Sequence, residues 1–341
     1  MQSNNNEQSE QNLLRSGSSL RVDVHTIPTR LVSSLNRCRI LGYPTVYTVL
    51  DCSNSLVAGF SVCFGKPNWE GVMLALQNAI SNKVSFCQEL GIEITESEWT
   101  YNHVPDFISV SLDAATLSVS KMRYLSQTLG IEVVGLPPHR SNWRDVIERH
   151  FSIANMQLKA AGILSPLHQE YNYSDSPLDA KLSFNEFRKI VLHMVLYYNN
   201  QFHQSNPPVT HTIGEKTKRE SPIEKWNWAS RPTAQSRVTN GKSVELNLLP
   251  VAEASITDQG VLFNGLVYTC EAMTHEQQII AAKLETSRRV TIAYNPQKAD
   301  QIYLKLGNGE RIIECHLASQ SEAFQGRCWH EVHDYQNHDA K

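Results

Sequence analysis

Three things are scarce in this 341-residue chain: long apolar runs, paired cysteines and net charge. The longest apolar stretches, such as IVLHMVLYY at 190–198, are too short and too interrupted to cross a bilayer, which takes about 20 apolar residues in a helix. No charged segment followed by an apolar one opens the chain, so a secretory leader is not expected and a cytoplasmic location is. The seven cysteines form an odd set without a CxxC pair, which argues against a disulfide framework and against a structural zinc site. They read as reduced packing residues. A formal net charge of −3 leaves no whole-chain electrostatic footprint for nucleic acid, so any DNA contact must come from local basic groups. No internal repeat is present.

What remains is an ordinary globular composition, 41% hydrophobic and 19% charged, in a chain long enough for two domains. Residues 1–19 are rich in Asn, Gln and Ser and hold too little apolar area to offset ordering, so they read as a disordered leader. Folding is expected to begin with strands at 20–27, 45–51 and 56–64, the last two joined by the turn-forming CSNS. A helix over 68–83 starts on an Asn cap and places Val72, Leu76, Ala79 and Ile80 on one face. Strand, helix and strand follow at 107–112, 119–129 and 131–136, and Ser141 opens a helix with Ile147, Phe151, Ala154 and Leu158 at helical spacing. Ser183 and Glu186 fit a capping box for a second long helix, and the Pro-rich, charged stretch 205–222 reads as a linker. From residue 243 short strands, VELNLLP among them, separated by Gly, Asn and Pro suggest a small β-barrel.

Three acids stand out by position: Asp23 inside the first strand, Asp113 at the end of the fourth, and Glu148 on the helix beyond the fifth. Taken singly, such an aspartate is more often a turn or cap residue, and such a glutamate a solvated partner of the next arginine. Three antiparallel strands followed by helix, strand, helix, strand and helix is, however, how an RNase H-like sheet gathers carboxylates from distant segments. Phosphodiester chemistry needs such a gathering, because two hard divalent cations about 4 Å apart must be held by oxygen ligands.

The surrounding text resembles a known family. Residues 22–62, 66–99 and 120–151, the last ending in VIERHF, look like the catalytic core of TnsB-type DDE transposases. Residues 177–200, 221–228 and 244–250 resemble the linker and barrel shared with Mu transposase and TniA. The resemblance implies an α/β RNase H-like core, a mixed five-stranded sheet with helices, followed by a small all-β barrel. The implied boundaries are leader 1–19, core 20–165, helical segment and linker 166–242, barrel 243–335 and tail 336–341. It makes Asp23, Asp113 and Glu148 the catalytic acids and metal ligands, with two Mg²⁺ or Mn²⁺ ions per site. The implied reaction is 3′-end nicking and strand transfer of transposon DNA. The implied partners are transposon-end and target DNA, further copies of the chain, a TnsA-like nuclease and a TnsC-like ATPase, in a bacterial, nucleoid-associated setting without membrane. Arg140, Arg144 and Arg149 beside the presumed site, and Lys216, Lys218 and Arg219 in the linker, are candidate phosphate contacts. The pair of tryptophans in WNW, 226–228, could stack on bases or anchor the linker, and anchoring is the expectation.

Several positions depart from the family pattern. The second aspartate is followed by AATLSVSK where the family shows Arg, Gly and Glu, and Asp145 replaces a glycine near the third acid, adding negative charge where a phosphate must enter. The helical end-binding domains that precede the core in this family have no counterpart ahead of residue 20, and sequence-specific end recognition by this chain alone is not expected. The alternative reading is therefore a catalytically impaired transposase fragment acting as a DNA- or partner-binding module. An RNase H-like nuclease without strand transfer is a third.

Overall fold

A computed structural model of the chain describes residues 17–110, 118–135, 143, 147, 181–201, 220–229, 241–269, 288–306 and 311–338. They divide into two compact units, one of residues 1–32 and 38–245 and one of residues 33–37 and 246–341.

The first unit is built on a five-stranded mixed sheet. Its strands are β1 (Ser19–Thr26), β4 (Pro44–Asp51), β5 (Val57–Phe64), β6 (Phe107–Val110) and β7 (Glu132–Gly135), in the spatial order β5-β4-β1-β6-β7. β4 pairs antiparallel with β1 and with β5, whereas β6 lies parallel to β1 and β7 parallel to β6. Parallel neighbours need a crossover, and the segment after β6 supplies one as helix Val119–Tyr124, continued by the wide turn Leu125–Leu129 and stopped by Gly130 at φ +66°. The mixed sheet is the one expected from the strand and helix pattern. Two short strands the sequence did not suggest, β2 (Leu31–Val32) and β3 (Ile40–Gly42), form a separate sheet with β8 (Leu182–Ser183).

Every residue of β4 is buried, as suits a strand covered on both faces. Helix α1 (Trp69–Ile80) packs on it, capped by Asn68, whose side chain accepts from Gly71 N at 3.0 Å. Two glycines allow the close approach: Gly71 lies flat against the Tyr47 ring, and a Cβ on Gly59 would sit 2.5 Å from the Ala79 backbone nitrogen. The carboxyl end of α1 is closed by a buried lysine. Lys83 Nζ donates to the carbonyls of Asn78, Ala79 and Ser81 at 2.7, 2.6 and 3.1 Å and lies 5.2 Å from the centroid of the Trp99 ring. Three acceptors match the three donors of an ammonium, yet burial pushes Lys83 down to about 7, against the opposing pull of Glu245 and Cys87. The long helix Phe184–Asn200 begins with the expected capping box, Glu186 N donating to Ser183 Oγ and Ser183 N to Glu186 Oε2.

In the second unit six strands close a barrel in the order β10-β11-β14-β13-β12-β9. They are β9 (Val251–Thr257), β10 (Gly260–Phe263), β11 (Leu266–Thr269), β12 (Arg288–Asn295), β13 (Lys298–Leu306) and β14 (Arg311–Leu317). The β10–β11 hairpin turns on Asn264 and Gly265, both at positive φ (44° and 78°), the two-residue turn that asparagine-glycine favours. Ile256, Val261, Tyr268, Ile292, Ile302 and Leu304 fill the interior with Trp329 and Val332 of the closing helix Trp329–His338. On that helix the buried Glu331 carboxylate accepts from Ser33 Oγ (2.8 Å), Ser34 N (2.5 Å), Ser34 Oγ (2.7 Å) and Leu35 N (3.1 Å), which is why residues 33–37 belong to this unit.

One element departs from the reading of the barrel. VELNLLP, expected as a strand, is helical through Leu248 in the element Gly241–Leu248, and the barrel starts instead at Val251. Alternating burial at Val244, Leu246 and Leu248 imitates a strand, but Val244 and Leu248 are also one helical turn apart, and a run this short fits either period.

Two changes test this packing. Gly59→Ala should cost about 1–3 kcal/mol in urea unfolding, because backbone rather than a flexible side chain must yield to the new methyl. Lys83 should make stability depend on pH. Between about 7 and its ordinary value of 10.5 the unfolded chain binds a proton that the folded chain lacks, so folding gains as pH rises through that window and is flat below it. Compared with Lys83→Met, the wild type should therefore gain up to about 1.4 kcal/mol per pH unit between pH 7.5 and 10 in parallel urea titrations.

Candidate active site

Asp23 sits in β1, the middle strand of the sheet, and is 5% exposed. It faces Thr48 directly across the antiparallel pairing with β4. Residues opposed in this way project from the same face, their Cβ atoms about 5 Å apart. On the other side β6 runs parallel to β1 and reaches Val110 beside Val22, one residue before Asp23. Arg21 and His25 alternate onto the face that carries Asp23.

That face is covered by aromatic groups. Trp143 is 1% exposed, and its indole N–H donates to Thr48 Oγ1 at 3.1 Å. Its ring meets Tyr198 of the helix Phe184–Asn200 edge to face, with centroids 5.2 Å apart and planes at 76°. Burial raises the Tyr198 hydroxyl to about 12, so it stays protonated at neutral pH. Trp143 and Ile147 are both helical and both buried.

Of the acids singled out in the sequence, Asp23 is the one within the described residues. Asp113 and Glu148 lie outside them, as do the candidate phosphate contacts Arg140, Arg144, Arg149, Lys216, Lys218 and Arg219. Among the described residues no group of three or more His, Cys, Asp or Glu side chains is gathered as a metal site.

A further acid, Asp51, is a turn carboxylate. Its Oδ1 accepts from Ser53 N (2.9 Å), Ser53 Oγ (2.5 Å) and Asn54 N (3.1 Å), while Oδ2 accepts from Gly17 N (2.6 Å). Burial raises its pKa although all four bonds pull the other way. Asp51 is thus spent on the β4–β5 turn and on the residues that lead into β1. The WNW tryptophans separate in the same manner. Trp226 is 2% exposed and packs on Tyr101 and His103 with centroids 5.0 and 5.7 Å away, the anchor that was expected, whereas Trp228 is 59% exposed. Sequence reasoning passed over Trp143 and Thr48. The available signal was Trp143 standing four residues before Ile147, which puts a large aromatic on the apolar side of that helix.

Residues 21–162 match the family model of the TnsB C-terminal domain, and residues 245–314 match that of the Mu transposase C-terminal region. The chain is 28% identical over 335 residues to the Escherichia coli "Transposon Tn7 transposition protein TnsB", a match that takes in 94% of this chain and 46% of that protein. It therefore spans about half the length of that curated relative. Among solved structures, the catalytic core domain of BIV integrase aligns with 64% of this chain and 99% of its own, at 10% identity and a TM-score of 0.27, too distant to define the fold. With matches to the TnsB and Mu family models in this order along one chain, the protein is similar to the TnsB-type transposases.

Proposed function

We propose that the chain is the catalytic core of a DDE-type DNA transposase, which nicks the 3′ ends of transposon DNA and joins them to target DNA. The observation that carries this reading is Asp23: a buried carboxylate on the central strand of a mixed five-stranded sheet, inside the segment that matches the TnsB C-terminal domain.

Asp23, Asp113 and Glu148 form the proposed ligand set. All three are carboxylates, without sulfur or imidazole, which suits hard cations such as Mg²⁺ or Mn²⁺. Two bound ions would supply the positive charge that stabilises attacking and leaving oxygens in line. The side chains do the rest. The three acids hold the site at fixed spacing, and Arg140, Arg144 and Arg149 bind backbone phosphates close to it. Lys216, Lys218 and Arg219 add contacts along the linker. Neither a covalent enzyme intermediate nor a protein nucleophile is required. Paired transposon ends, target DNA, further copies of the chain, and TnsA-like and TnsC-like proteins are the proposed partners. Among the described residues no helix is long and apolar enough to cross a membrane, and a cytoplasmic, nucleoid-associated location is proposed with the activity.

The test is strand transfer of a pre-nicked transposon-end duplex into plasmid DNA with Mg²⁺ or Mn²⁺, with an end-binding domain supplied in trans. Asp23→Asn, Asp113→Asn and Glu148→Gln should each abolish joining while the urea midpoint stays close to wild type. Asp51→Asn should instead lower stability by about 1–3 kcal/mol, since an amide has one acceptor oxygen where the carboxylate uses both, one for Gly17 N and the other for Ser53 and Asn54. A wild-type chain that binds the duplex without joining it would make the binding-module reading correct, and cutting without joining would make it a nuclease.

A further inference from the structure

We propose that residues 33–35 and Arg327 form a phosphate-binding site, and that the Glu331 carboxylate occupies it as an internal competitor. All of these residues belong to the second unit. Four donors converge on one oxygen. Glu331 Oε1 accepts from Ser33 Oγ, Ser34 N, Ser34 Oγ and Leu35 N, whereas no described residue donates to Oε2. A carboxylate has about four acceptor positions, two on each oxygen, so this one meets its donors with half of its capacity. Asp51, by contrast, accepts through both of its oxygens.

The donors are held by contacts of their own. Ser33 Oγ accepts from Leu35 N at 3.1 Å and Asn36 N at 3.3 Å, which closes a turn whose successive N–H groups, of Ser34 and Leu35, meet at the same oxygen. Backbone N–H groups gathered in this way make a concavity that takes anions. Arg327 adds the cation. One of its terminal nitrogens donates to Ser34 Oγ, its Nε is buried without an acceptor, and it forms no ion pair among the described residues. A buried donor left unmade is costly, and a guanidinium fork suits the oxygens of a phosphate. The tetrahedral oxygens of that group point in different directions, so the loop donors and Arg327 Nε need not share one atom. Exchange of the two anions takes rotation of the Glu331 side chain alone, because Trp329 and Val332 hold its helix in the barrel core. Solvent reaches the loop at Asn36 and Arg37, which are exposed. While Glu331 stays in place, affinity for phosphate is held down.

The test titrates inorganic phosphate, and separately a short DNA duplex, into the full chain and its variants by calorimetry at constant ionic strength. Glu331→Ala removes the competitor and should bind phosphate about 10-fold or more tighter than wild type. Adding Ser34→Ala or Arg327→Gln to Glu331→Ala should cancel that gain. Glu331→Gln keeps the shape and loses the charge, so it carries the same expectation where the alanine variant folds poorly. Phosphate should also raise the urea midpoint of either variant more than that of wild type, because it binds the folded state. If the duplex gains affinity along with inorganic phosphate and the two compete, the occupant is a phosphate of the DNA backbone. A gain for inorganic phosphate alone identifies a small phosphate ligand instead. Equal phosphate affinity in wild type, Glu331→Ala and Glu331→Gln overturns the site, and so does a gain that survives both Ser34→Ala and Arg327→Gln. None of these readings depends on strand transfer, so failure of the transposase proposal leaves this one standing.

Discussion

A strand hydrogen-bonded on both edges cannot shift without breaking two ladders at once, and β1 is held in that way, by β4 along its length and by β6 from Ser19 to Val22. Most of the first unit is arranged to keep it so. The Asp51 carboxylate ties Gly17 to the β4–β5 turn, which delivers the chain to the start of β1 at a set height. The glycines at 59 and 71 let α1 lie close on the opposite side of the sheet, burying β4 completely. A one-residue slip in β1 would exchange Asp23 for an apolar neighbour on every face it meets. The rigidity of the sheet and the placing of the first acid are therefore one requirement.

The elements that sequence made legible are those whose signals are local. The Asn68 cap and the Ser183–Glu186 capping box each act within a few residues, and each stands where reading the chain put it. What stayed hidden depends on partners far away in sequence. The small sheet of β2, β3 and β8 needs Leu182 and Ser183 to complete strands of two and three residues, and neither propensity nor periodicity reports such a pairing. The strand at Val251–Thr257 went unread because half of it carries Ala, Glu and Ser, and the apolar run before it drew the assignment.

The candidate site was legible in a different degree. Asp23 could be proposed from its text and lies on the central strand. Trp143 could not be understood from its own segment. HRSNWR reads as a basic, phosphate-facing stretch, and only the fold reveals that its tryptophan points inward to Thr48 and Tyr198. Lys83 is a similar case, since a lysine in a polar run reads as solvated until three carbonyls at a helix end are found around its ammonium.

These two buried donors share a logic that bears on how a site of carboxylates is built. Carboxylates held close together repel, so the structure that gathers them must resist that repulsion before any cation arrives. Apolar packing resists poorly on its own, because it tolerates small sliding motions. A buried hydrogen bond tolerates them far less, since a displaced donor in a dry interior finds no water to replace its acceptor. At Thr48 such a bond stands one strand away from Asp23, where a displacement of the covering helix would be felt first. On the face of the sheet that carries Asp23, the buried bond from Trp143 to Thr48 is one such constraint.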